Sequence, residues 1–427
     1  MVVRNVTAGL KRSPVTILFM AVLIDMLGFG IVIPVLPFYA LEMGATAFEV
    51  TLLIASFSAM QMAATPVWGR ISDRRGRRPL LIAGLFASAV SYLIFGLASS
   101  MLLLLISRLA AGAAGGTISV AHAYVADTTT AEERAHGMGL IGAAAGLGVM
   151  LGPAIGGFFS QFSLGTPGYV AAALCAANGI AAIFLLPESR PKEARTAVRT
   201  GQAATLRGWA GAMMSFPLSQ LLAVYFLGIT SFTAMTALLA LYFERVFGTG
   251  AAEMGIMFTI AGGVTVVVRG YVLRLLVRRF GEIATVRTGA LALAITFLLL
   301  PYLPSFAWAM LIVPLYAFGA GTLFPALATL TSFATDAESQ GSILGGSQVV
   351  GGLGRVVGPI WAGLLFQEVA IATPFHVAAG LTVLAIILAL RIPASLQLRR
   401  AQPAGAPGTG TSPAANQPPS FTAQDRA

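Results

Sequence analysis

The sequence predicts an all-α membrane protein of twelve transmembrane helices arranged as two pseudo-symmetric six-helix bundles. Three observations lead there. The 427 residues are 57% hydrophobic and only 10% charged, with 48 glycines and a mean hydropathy of +0.85, a composition outside the range of soluble domains. The charges gather in short segments between apolar runs long enough, at about 1.5 Å per residue, to cross a hydrocarbon core of about 30 Å. Finally, short signatures recur at an offset of 204–206 residues, the mark of a transporter made of two related bundles with a site between them near the midplane.

The spans follow from the apolar runs: 15–39, 47–68, 79–98, 101–125, 136–162, 167–187, 216–243, 253–273, 284–303, 306–332, 339–367 and 371–391. Between the second and third, Gly69 to Leu80 packs five arginines and one aspartate, so it is read as a tight loop in water. Between Pro187 and Phe216 the chain turns polar, giving a cytoplasmic linker over 188–215 that joins an N-terminal bundle, 1–187, to a C-terminal bundle, 216–392. From 393 to 427 the Pro, Ala, Gly, Ser and Thr content predicts a disordered cytoplasmic tail. The halves echo one another. Glu42-Met-Gly-Ala-Thr-Ala-Phe-Glu49 is matched by Arg245-Val-Phe-Gly-Thr-Gly-Ala-Ala-Glu253, Gly115-Gly-Thr117 by Ala320-Gly-Thr322, Ala131-Glu132 by Ala337-Glu338, and Gly152-Pro153 by Gly358-Pro359.

Charge sets the orientation. Of 26 Lys and Arg, 22 fall in segments or at span ends this topology makes cytoplasmic, three (Arg108, Arg269, Arg355) lie further inside spans, and Arg245 alone lies in an outer loop. Lys and Arg near span ends stay in the cytoplasm, so both termini are expected there. The basic stretch Arg4 to Arg12 before the first apolar run resembles a signal peptide, but the run is span-length and is read as a first span. The balance of +10 therefore reports topology and anionic-lipid contact rather than nucleic acid. One cysteine, Cys175, excludes an intramolecular disulfide or a thiol metal cluster. The three histidines are scattered, and neither a nucleotide loop nor a metal-spaced motif is present, so an enzyme is not expected. No cofactor is expected beyond a coupling proton.

Four motifs in order carry a resemblance. They are Ile24-Asp25-Met-Leu-Gly28-Phe-Gly30-Ile-Val-Ile-Pro34-Val-Leu-Pro37, Gly69-Arg-Ile-Ser-Asp73-Arg-Arg-Gly76-Arg77-Arg78, Leu104-Leu-Ile-Ser-Arg108-Leu-Ala-Ala-Gly112, and Gly146-Leu-Gly148-Val-Met-Leu-Gly152-Pro153-Ala-Ile-Gly156-Gly157. Over nearly all twelve spans the chain resembles the major facilitator superfamily, and within it the drug/proton antiporters that include the tetracycline exporters. The resemblance implies proton-coupled export of small amphipathic compounds by alternating access, acting as a monomer in the lipid bilayer of a bacterial inner membrane. Arginine outnumbers lysine 24 to 2, which suits a GC-rich bacterial genome. Two departures stand out. The tetracycline exporters carry ionisable residues where this chain has Ser91, Thr265 and Leu293, and the second-half loop copy, Gly270 to Gly281, lacks the aspartate.

Asp25 lies 10 residues into the first span, about 15 Å deep. Every other acid falls at a span end, in a loop or in the tail. Intramembrane acids are costly and functional by default, so Asp25 is the candidate proton carrier; the alternative is a carboxyl satisfied by backbone or a hydroxyl. Arg108 is placed by resemblance near the first span, where it would tune Asp25; the alternative is a snorkelling arginine. His122 is 14 residues further on, on about the same face at 100° per residue. Gly69, Asp73, Arg74, Gly76, Arg77 and Asp127 form a candidate cytoplasmic latch. In it the resemblance implies that Asp73 meets the start of the eleventh span near Gly341, with Arg77 paired to Asp127; the alternative is a topogenic charge cluster alone. Gly148, Gly152, Pro153, Gly156 and Gly157 present a small-residue face for close helix packing, to which the resemblance assigns cavity sealing during antiport. Gln61, His122, Gln348 and Arg355 are candidates for the substrate cavity. If Arg355 faces it, the cavity is neutral to positive and favours neutral, zwitterionic or weakly anionic amphiphiles over dications. The competing function is an uptake carrier or a sugar or metabolite exporter without drug specificity.

Overall fold

A computed structural model describes residues 14–189, 213–335 and 340–398. The expected linker and tail lie mostly outside these residues. Every regular element among the described residues is helical.

The first crossing is α1 (Pro14–Val32) followed by α2 (Leu36–Glu42). The break falls at Pro34, which has no N–H to donate and crowds the preceding turn. The next three crossings are α3 (Ala47–Arg75), α4 (Arg77–Gly96), and the pair α5 (Met101–Ala114) and α6 (Thr117–Thr128). Spans five and six are α7 (Ala131–Ser160) and α8 (Thr166–Leu185). The second half comprises α9 (Leu218–Phe247), α10 (Ala251–Val267), a π-helical turn Val268–Val272, α11 (Leu273–Leu299), α12 (Phe306–Phe333), α13 (Gln340–Glu368) and α14 (Thr373–Leu390).

Among the described residues eleven helical runs are long and apolar enough to cross a membrane, and one of them, Ala251–Tyr302, is 52 residues long. At about 1.5 Å per residue that is about 78 Å, over twice the hydrocarbon thickness. Gly281 breaks it (φ 82°, ψ 172°), giving spans eight and nine and twelve crossings in all. The same device separates spans two and three. There the expected loop is itself helical except at Gly76 (φ 101°, ψ 163°), the C-cap of α3 and the N-cap of α4. The helices simply continue past the hydrocarbon, and one residue that lacks a Cβ turns the chain. At the opposite end the left-handed glycines are Gly44 (φ 82°) and Gly248 (φ 65°). The two pairs of turn glycines, 44 with 248 and 76 with 281, repeat at the offset of the sequence signatures. So does the carboxylate that accepts from the N-cap N–H, Glu49 at Thr46 and Glu253 at Gly250.

Packing repeats as well. Span one packs on spans five and six, two on four, and three on four and six; span seven packs on eleven and twelve, eight on ten, and nine on ten and twelve. Large apolar side chains such as Leu102, Phe162, Phe184 and Leu311 are exposed, as suits helices solvated by lipid.

The halves meet along two seams, span five against eight and span two against eleven. Contact is concentrated at the Gly44 end. A methyl on Gly157 would stand 3.1 Å from Gly255 Cα, one on Gly363 would overlap the Thr51 hydroxyl, and the Phe48 N–H donates to Gln367 Oε1 at 3.2 Å. Towards the Gly76 end the same four spans separate, and methyls on Gly69, Gly139, Gly142, Gly146, Gly270 and Gly345 would meet nothing within 4 Å. The protein is sealed at the Gly44 end and open at the Gly76 end.

Candidate functional site

Asp25 is 4% exposed and turned into the first bundle. Thr117 Oγ1 donates to its Oδ2 at 2.6 Å, and the Ser88 hydroxyl lies beside it. Sequence dictates this geometry. Gly115 and Gly116 interrupt span four, so Thr117 begins α6 with its hydroxyl free to point at span one. Gly84 clears the space, because a methyl there would overlap Thr117 Cγ2. Breaking a helix in mid-membrane strands carbonyls, and span two satisfies two of them: Trp68 Nε1 donates to Ala113 O at 2.5 Å and Gln61 Nε2 to Gly115 O at 3.4 Å. Gln61, expected in the substrate cavity, is thus engaged with the helix break.

Arg108 does not take the place that the resemblance implies. It is buried, which removes the snorkelling alternative, yet it forms no ion pair with Asp25. The reason is depth. Thr117, at the level of Asp25, is nine residues further along span four, about 13 Å by helical rise. Arg108 instead stacks over Phe95, 5.1 Å from the ring centroid, and its Nη2 has no hydrogen-bond partner. Tyr92 packs against span one, where a methyl on Gly28 would stand 2.8 Å from its ring. The break also voids the count that put His122 on the face of Arg108. His122 is half-buried on the side of α6 away from its buried stripe Val120, Ala121 and Tyr124, and so borders the space between the bundles.

At the open end Arg77 is a buried hub. Its Nε donates to Asp127 Oδ2 at 2.8 Å, its Nη1 contacts Asp73 Oδ1 at 2.8 Å and Ser72 Oγ at 3.0 Å, and its N–H donates to Glu188 Oε1 at 2.8 Å. Asp73, Arg77 and Asp127 thus meet within the first bundle, while Gly69 is half-buried and Arg74 exposed. The side chains around Gly341 lie outside the described residues, so the expected contact of Asp73 with that helix start does too.

The fifth-span glycines serve two partners. Methyls on Gly148 and Gly152 would come within 2.6 Å of Met26 Cβ and Gly30 Cα, and one on Gly156 would overlap Ile31 O, so all three press on span one. Gly157 and the Pro153 carbonyl press instead on Gly255, across the seam.

In the second bundle, Thr322 sits over Gly289 as Thr117 sits over Gly84, with its hydroxyl 2.5 Å from the methyl Gly289 lacks. At the offset of 205 residues the position of Asp25 is taken by Thr230, whose buried hydroxyl has no hydrogen-bond partner. Span eleven presses on span seven through Gly351, Gly354 and Gly358 and on span two through Gly352 and Gly363. Arg355 lies between these two faces, opposite the exposed apolar stripe of Val349, Leu353, Val357 and Leu364, and Gln348 shares its side at seven residues' spacing. Both therefore face the space between the bundles. Ser91, Thr265 and Leu293 are packing positions: Ser91 Oγ donates to Ser88 O at 2.8 Å, Thr265 Oγ1 to Ala261 O at 2.8 Å, and Leu293 is fully buried.

Three features escaped the sequence reading. Thr117 was visible only as one letter of a repeated signature. The π-helical turn at Val268–Val272 has no sequence mark. An aromatic row links spans seven and ten, with Tyr225 at 6.0 Å from Phe324, Phe324 at 5.5 Å from Phe232, and Phe232 stacked at 5.1 Å on Tyr316; in sequence its members are scattered among 26 phenylalanines.

Residues 18–359 match the family model of the Major Facilitator Superfamily. Among curated proteins the chain is 30% identical to the class C tetracycline resistance protein of Escherichia coli over 82% of this chain and 89% of that one. It is 31% identical to multidrug resistance protein 1 of Bacillus subtilis (strain 168) over 90% and 96%. Among solved structures, the human organic anion transporter MFSD10 (TETRAN) is similar with a TM-score of 0.66 and 26% identity, over 88% of this chain and 98% of that one. Two half-size helix bundles meeting along spans two, five, eight and eleven, a broken and acid-bearing pair of spans, and a match across most of the chain lead to one conclusion: the chain is a multi-pass membrane transporter of the Major Facilitator Superfamily, related to tetracycline and multidrug resistance proteins.

Proposed function

We propose that this transporter is a proton-coupled exporter of small amphipathic compounds, working by alternating access as a monomer in a bacterial inner membrane. The observation that carries the proposal is Asp25, an acid buried in mid-membrane with a hydroxyl partner and, among the described residues, no cation within ion-pair distance. A carboxylate there is uncompensated and expensive, so the charge of Asp25 and the arrangement of the first bundle are linked, as a proton-driven cycle requires. The arginine-rich Gly76 end faces the cytoplasm by the positive-inside rule, which makes the described state inward-open and ready to load an export substrate. The names of the relatives support export of amphipathic drugs, and that of the human transporter adds organic anions to the substrates worth testing.

The test is Asp25→Asn in inverted membrane vesicles. Accumulation driven by an imposed pH gradient should vanish, while exchange down a substrate gradient survives, because the substitution only neutralises the group. Accumulation at the wild-type level would refute the assignment.

A further inference from the structure

We propose that Arg269 and Arg355 form a two-point site for the oxyanion of an amphipathic organic anion, with the rings of Phe324 and Phe232 as the apolar floor between them. The inference rests on the transport reading and names the substrate class of that cavity.

The two arginines occupy matching positions. Arg355 lies on span eleven between the faces that press on spans seven and two. On span eight, Gly255 and Gly262 press on span five and Val268 presses on Gly321 of span ten. Arg269, itself exposed, falls between those faces and on the other side of the helix from Ile256, Ile260 and Val267. It stands within the π-helical turn, a distortion common at functional sites because it re-aims side chains. Depth agrees too. Gly354, beside Arg355, touches Ile229 and Thr230, while Val268, beside Arg269, touches Gly321, the neighbour of Thr322. Thr230 and Thr322 are the counterparts of Asp25 and Thr117, so both guanidinium groups belong to the mid-membrane layer.

Neither arginine has a hydrogen-bond or ion-pair partner among the described residues. The described acids of the second half, Glu244, Glu253, Glu282 and Glu368, all lie at span ends. Two unpaired cations in a low-dielectric cleft are costly and draw an anion in, and guanidinium forks match the geometry of an oxyanion. Between them spans seven and ten offer the half-buried rings of Tyr225, Phe232 and Phe324. Flat apolar surface beside paired positive charge fits a ligand with an aromatic body and a carboxylate or sulfonate head.

The test is equilibrium binding to the purified full-length protein in nanodiscs of zwitterionic lipid, with no pH gradient, so that it reads the site independently of coupling. The probes are 2-naphthoate, its neutral methyl ester and the lipophilic cation tetraphenylphosphonium. Wild type should bind the carboxylate at least about tenfold tighter than the ester, the worth of one charge-assisted hydrogen bond, and tighter than the cation. Arg269→Gln and Arg355→Gln should each remove most of that preference, and Arg391→Gln, at the end of α14, should leave it intact. Should either glutamine variant fail to fold, the lysine variant at that position should keep charge attraction but lose part of the preference. Equal binding of acid and ester by wild type, tighter binding of the cation, or an unchanged preference in both glutamine variants overturns the proposal. So does loss of naphthoate binding on adding phosphatidylglycerol, which would assign the site to a lipid headgroup. If pH-driven transport fails while the carboxylate preference holds, the coupling reading falls and this site stands.

Discussion

Asp25 and Thr117 are bound across 92 residues of sequence, and each can be tested by changing one atom or group. Thr117→Val keeps the shape and removes the donor. A hydrogen bond to a charged group contributes about 1.5–3 kcal/mol, so the pH at which transport is half-maximal should move, and Thr117→Ser should restore it; a pH–rate profile in vesicles decides. Arg77→Ala is expected to be far more damaging to folding, because it leaves Asp127 and Asp73 without their shared cation. Removing one partner of a buried pair costs about 3–5 kcal/mol, discounted here because Asp73 is 43% exposed and Asp127 27%; thermal melting in detergent should fall by several degrees. At this scale the sequence was informative where chemistry is rare. A lone acid in an apolar run identifies itself, whereas a threonine becomes meaningful only when a broken helix points it at that acid. Arg108 was misplaced for the same reason: a motif names a residue but not its depth relative to a partner on another helix.

Among the elements, glycines divide into those that fix a bundle and those that fix a state. Gly156 is pressed against the backbone of span one inside the first bundle, so Gly156→Val should lower stability in every conformation, by about 1–3 kcal/mol or more for overpacking, read as a lower melting temperature. Gly363 touches Thr51 across the seam at the closed Gly44 end, a contact that alternating access would part. Gly363→Val should leave melting nearly unchanged yet shift the protein towards opening at that end. A cysteine at Gln367 in a Cys175→Ala background should then label faster from outside, and an unchanged rate would mean the seam does not part there. Asp73→Asn should act in the opposite sense if the latch holds the outward-open form, by about 1–3 kcal/mol, slowing the same labelling. Span number and order were legible from apolar runs because water and hydrocarbon sort residues strongly. The extension of helices through the arginine-rich stretch was not, since charge tells where a segment lies and not how it is folded.

For the whole molecule, the repeat in the sequence became a repeat in turn glycines, caps and helix pairings, but the halves are not equivalent in chemistry. The first holds the one acid of the membrane interior, the interrupted fourth span with its braces from Gln61 and Trp68, and the Arg77 hub. Its partner has a threonine at the acid's position, an uninterrupted α12 at the corresponding span, Arg269 and Arg355 without partners among the described residues, and the aromatic row. The proposed proton machinery and the proposed ligand contacts therefore lie on different sides of the 190–212 stretch. Such a chain is open to recombination. Joining its first half to the second half of a homologue should yield hybrids that inherit their driving force from one parent and their substrate range from the other, provided that the glycine seams at 157 with 255 and 363 with Thr51 are kept matched.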